Sequence, residues 1–177
     1  MKKGLNVHKI VLLSMMLAMA LALGIAESFI DFSWLPGAKP GLANLVIIIV
    51  LYEFGIFDAA LIDLGKVFIV AAVRGSLFQM GFWMSFAGSF LSLLIMVLLK
   101  YLFKKMTIVG VSAMGALFHD LGQMLVGVIF LGSWQIFYYF PFMMLIGLAM
   151  GVLIGIVANK IIQTGVIERQ KKQYGFK

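Results

Sequence analysis

The chain has 177 residues, 63% of them hydrophobic and only 12% charged, and its mean hydropathy is +1.10. A water-facing surface on a domain of this size needs about a quarter of its residues charged, so a soluble fold is excluded and lipid is the expected solvent. The net charge of +7 sits in clusters rather than on a face, which argues against nucleic acid, and the absence of cysteine excludes disulfides and thiolate metal sites.

In a bilayer every backbone polar group must be satisfied within the chain, which leaves helices or closed barrels. Long apolar runs without period-two alternation choose helices. A hydrocarbon core about 30 Å thick needs roughly 20 helical residues. The expected fold is therefore all-α, an integral membrane bundle of six transmembrane helices in a single domain, 1–177. The first span is expected over 10–30, continuing too far past a signal-peptide core to be one. Pro36, Gly37, Pro40 and Gly41 then break regular structure. A second span is expected over 42–57, short enough to be little tilted or partly covered by neighbours, and a third over 59–73, closed by Arg74-Gly75. The remaining three are expected over 82–102, 108–131 and 137–162, followed by a polar tail.

The cations set the orientation. Lys2, Lys3 and Lys9 precede the first span, the fourth ends in Lys100, Lys104 and Lys105, and Lys160, Arg169, Lys171, Lys172 and Lys177 close the chain. By the positive-inside rule both termini are expected in the cytoplasm, with the protein in the plasma membrane. One loop fits poorly: Glu53, Asp58 and Asp63 make the connection between spans two and three acidic.

Ionisable residues within spans default to functional candidates. Asp63 and Lys66 share a helical face and are expected to neutralise each other. Glu27 and Asp31 lie near the outer end of span one, open to a functional role or to interfacial solvation, with solvation the favoured reading for Asp31. Lys39, in its Pro-Gly setting, and Arg74 flank the outer surface, with Asn44 one turn into span two. Two readings fit these cations: binding of an anionic ligand, or anchoring at the interface. Span five carries His119, Asp120 and Gln123, a polar cluster suited to ligand contact, proton relay or helix–helix hydrogen bonding. The only other histidine is His8, and no HExxH spacing occurs, so no metal is expected. Ala18, Ala22 and Ala26 form a flat stripe on span one, open to an internal helix contact or to docking of a partner. No phosphate loop, GxSxG elbow or GxGxxG is present, and no two acidic residues adjoin, so no catalytic residue or cofactor is expected.

The segments Pro36 to Asn44, Arg74-Gly75-Ser76-Leu77, Gly88-Ser89-Phe90 and Ser112 to Gln123 resemble the Gx transporter family, also named heptaprenyl diphosphate synthase component I. That family is similar to the substrate-binding S components of energy-coupling factor transporters. The resemblance implies a ligand pocket toward the outer face and a coupling membrane protein, driven by separate ATPases, on which the Ala18, Ala22 and Ala26 stripe docks. No pocket residues carry over from it, and Lys39, Asn44, Arg74, His119 and Gln123 are the expected ligand contacts on their own polarity and position. Isoprenoid or quinone precursors, flavins and other vitamin-like metabolites are the ligands its associations suggest. The family's second name implies instead a membrane component of a prenyl-diphosphate synthase, and a scaffold for a redox assembly is a third reading.

Overall fold

The computed structural model describes residues 7–28, 41–103 and 105–175. Among them the chain is entirely helical: α1 (Val7–Ser28), α2 (Asn44–Glu53), α3 (Ile56–Val73), α4 (Met80–Leu102), α5 (Ile108–Leu131), a 3₁₀ turn (Trp134–Tyr139), α6 (Phe140–Gln163) and α7 (Val166–Tyr174). Each of the six expected segments contains a helix. Four of them, α1, α4, α5 and the 3₁₀ turn with α6, are long and apolar enough to cross a bilayer. The helix α3 has 18 residues but carries Asp58, Asp63 and Lys66.

The departure from expectation is α2. Its ten residues rise about 15 Å, half a hydrocarbon core. Val46 through Leu51 are all buried, because α1, α3, α4 and α6 surround this apolar segment. A helix apolar on every side is a core element, and here the core is protein rather than lipid. Phe54 and Gly55 both donate to Val50 O, and Gly55, at φ 104°, reverses the chain directly into α3. The polar tail also holds α7, which presents Ile167 to the core.

Lipid tails are as apolar as leucine, so close packing rather than hydrophobic burial must hold α4, α5 and α6 together. Glycines make that packing possible. A Cβ at Gly122 would lie 2.7 Å from Ala87 O on α4, and one at Gly155 would lie 2.6 Å from Val109 Cα on α5. With Gly147 and Gly151, Gly155 forms a small-residue stripe at four-residue spacing along α6, facing α5.

The Ala18, Ala22 and Ala26 stripe behaves differently. All three are exposed, while Ala20 is fully buried, so α1 packs on its neighbours through another face. No internal helix covers the stripe among the described residues.

The acidic α2–α3 connection is neutralised from the ends of the chain. Lys9 of α1 lies 2.7 Å from Asp58, and Lys171 of α7 lies 3.1 Å from Glu53 while also donating to Glu53 O. Lys100 donates to Leu51 O at 2.6 Å, so two cations meet the carbonyl end of α2, where the helix dipole favours them. His8 stacks on Tyr174 with ring centroids 3.9 Å apart. Lys9, Lys100 and Lys171 therefore gather with the acidic turn at one end of the bundle.

Candidate ligand pocket

The helices α1 and α3 run side by side in the same direction. Gly65 of α3 meets Leu17 of α1, and Gly24 of α1 meets Val70 of α3, with their Cβ positions 3.5 and 3.3 Å from those side chains. Above the start of the half-length α2, this pair and α4 enclose a cavity of about 260 Å³. Its wall includes Glu27, Asn44, Lys66, Arg74, Gln79 and His119 among polar groups, and Val67, Val70 and Phe82 among apolar ones. It opens at the end of the bundle opposite the cationic cluster, where α3 ends and α4 begins.

The floor is built on Lys66. Its ammonium lies 2.8 Å from Asp63 Oδ1 and donates to Asn44 Oδ1 at 3.3 Å. The Asp63 contact is ionic rather than a well-aligned hydrogen bond. Both side chains are over nine-tenths buried, so each charge depends on the other. Asn44 takes this position because it opens α2, with its side-chain oxygen turned toward α3.

At the rim, Glu27 Oε1 accepts from Ala43 N at 3.3 Å, which places a buried carboxylate at the positive end of α2. Arg74 is fixed by the way α3 ends. Ser76 N bonds Ala71 O at 2.9 Å and Gly75 N bonds Ala72 O at 3.1 Å, a Schellman closure that needs the left-handed Gly75. Arg74 is the capping residue of that closure, and its side chain lines the mouth. Phe82 is anchored by edge contacts to Phe68 and Trp83, both at 5.2 Å.

The polar cluster of α5 divides. His119 lines the cavity, and its Nε2 lies 2.9 Å from Gln123 Nε2. Both pack on α4 where Gly88 leaves room; a Cβ there would lie 3.0 Å from each side chain. Asp120 turns the other way, onto Gly147 of α6, and its Oδ2 is buried without a hydrogen-bond partner among the described residues. His119 and Asp120 therefore do not pair with each other.

Of the residues singled out from sequence, Asn44, Arg74 and His119 meet in the cavity wall. Gln123 stands behind His119 and orients it. Lys39 and Asp31 fall outside the described residues. Two charged wall residues were not among those expectations: Glu27, open to solvation by sequence, is only 8% exposed, and Lys66 was paired with Asp63 alone. The signal for both was their charge inside an apolar helix. Among the described residues no cluster of three or more His, Asp or Glu is placed to hold a metal ion.

Several apolar helices around a polar, partly enclosed cavity define a multi-pass membrane protein. Residues 16–161 match the family described as Heptaprenyl diphosphate synthase component I, and the chain belongs to that family. Neither a curated protein nor a solved structure gives a significant match.

Proposed function

We propose that this protein is the substrate-binding, S-component-like membrane subunit of an energy-coupling-factor-type transporter. The observation that carries the reading is the cavity itself, with Lys66, Arg74, Asn44 and His119 in its wall at the end away from the cationic cluster. A soluble small molecule entering there would meet preformed polar groups inside an otherwise apolar bundle, as binding sites require. Lys39 joins Asn44, Arg74 and His119 as a proposed contact on its sequence position, and Gln123 is reassigned to holding His119. In this reading both termini lie in the cytoplasm, the plasma membrane is the location, and energy comes from separate ATPase subunits.

The exposed alanines supply the docking face. A flat stripe on an exterior helix lets a partner helix approach closely, and in lipid that approach is the main source of affinity. Ala22→Leu is expected to leave folding unchanged, because the side chain points outward. It is expected to lower copurification of the coupling protein and ATPases by about tenfold, equivalent to roughly 1.4 kcal/mol. Recovery of an intact complex with Ala22→Leu would remove the docking assignment.

The family description favours a second reading, a membrane component of heptaprenyl diphosphate synthase. No two acidic residues adjoin in the sequence, so this role would leave the chemistry to a second subunit. Turnover of isopentenyl diphosphate by the purified chain, alone or with such a subunit, distinguishes the two.

A further inference from the structure

The cavity wall grades its polarity along α3. Lys66, Val70 and Arg74 recur at four-residue spacing and line it together, with Val67 and Ala71 beside them. Eight residues of helix separate the two cations by about 12 Å. The stretch between them is apolar, and Phe82 extends it across to α4.

The two cations are not equivalent. Lys66 is already balanced by Asp63, so the floor as a whole is neutral. Two of its three donors face Asp63 and Asn44, and Lys66 also lines the cavity, which leaves a donor for a neutral oxygen. Arg74 has no ion-pair partner among the described residues and presents a planar fork suited to carboxylate or phosphate. Glu27 also lines the cavity, with its carboxylate held on Ala43 N at the head of α2.

We propose that the pocket takes a small anionic amphiphile. Its carboxylate or phosphate-ester group lies on Arg74, its apolar middle lies against Val67, Val70 and Phe82, and a neutral carbonyl, ether or hydroxyl oxygen lies on Lys66 and Asn44. This inference rests on the reading of the cavity as a ligand site and adds the ligand's chemical class and direction.

The test is mass spectrometry of small molecules extracted from the full chain after gentle detergent purification, for the native sequence, Arg74→Gln and Arg74→Lys. The native protein is expected to carry an acid with a second, uncharged oxygen function. Arg74→Gln is expected to retain at least about tenfold less of it, and Arg74→Lys an intermediate amount, because lysine keeps the charge and loses the fork. Thermal unfolding of the three proteins, stripped of small molecules, should coincide, since the Arg74 side chain is exposed. A neutral or cationic retained molecule would overturn the ligand class while leaving the binding role intact. Equal retention of an acid by Arg74→Gln would overturn the placement of its head. A native protein that carries nothing, and is not stabilised by inorganic phosphate or short-chain carboxylates, would overturn the binding role and this inference together.

Discussion

Asp63→Asn is expected to destabilise the protein by about 3–5 kcal/mol, because it leaves the buried ammonium of Lys66 without a counter-charge. The Asn44 oxygen at 3.3 Å remains, but a single neutral acceptor does not offset a buried cation. Lys66→Gln is expected to cost a similar amount, since it strands the Asp63 carboxylate. The double substitution should recover most of the loss, because two amides of similar volume replace the pair without any charge. Chemical or thermal denaturation of the four purified proteins gives the cycle directly. If the single substitutions matched the native protein and the double did no better, Lys66 would not depend on Asp63. Any role for the floor of the cavity in ligand binding would then need another origin.

Gly155→Val is expected to cost about 3 kcal/mol or more, at the upper end of overpacking effects. The atom nearest to the added Cβ is Val109 Cα, at 2.6 Å, and a backbone atom cannot rotate away as a side chain does. The helices α5 and α6 would have to separate, and in lipid no hydrophobic gain elsewhere compensates the lost contacts. Gly127→Ala is the matched control. There the nearest atom to an added Cβ is the end of Met84, 3.7 Å away, so the substitution should be neutral or stabilising by up to about 1 kcal/mol. Denaturation of both variants separates close packing from a general intolerance of these helices to larger residues.

The long apolar helices were legible because length and hydropathy are local properties. The expectations of 82–102 and 108–131 compare with Met80–Leu102 and Ile108–Leu131 in the structure. The half-length α2 was legible only in part: the segment is short by sequence, but the run Val46 to Leu51 looks the same whether lipid or four neighbouring helices surround it. The pocket was legible in part for a related reason. Arg74 and His119 attract notice singly, as charge or polarity inside an apolar span. The use of Glu27 at the head of α2, or of Lys66 on the cavity floor, depends on contacts between distant segments. Small-residue spacing also identified stripes without identifying their partners. The α1 alanines face outward, whereas the equally spaced Gly147, Gly151 and Gly155 went unnoticed and face α5. The acidic turn between α2 and α3 looked like an exception to the charge rule until Lys9 and Lys171 were seen to fold back onto it.

The proposed function requires a cavity that reaches into the membrane from the face opposite the cationic cluster. The chain contains no cysteine, so one introduced thiol reports alone. Ser85 lines the cavity on α4, and Ser92, about two turns deeper on the same helix, is 2% exposed and outside the wall. With a membrane-impermeant thiol reagent added to intact cells, Ser85→Cys is expected to be modified and Ser92→Cys to remain unmodified. A Ser85→Cys protein that is silent from outside, or that reacts only when the cytoplasmic face is exposed, would contradict the account.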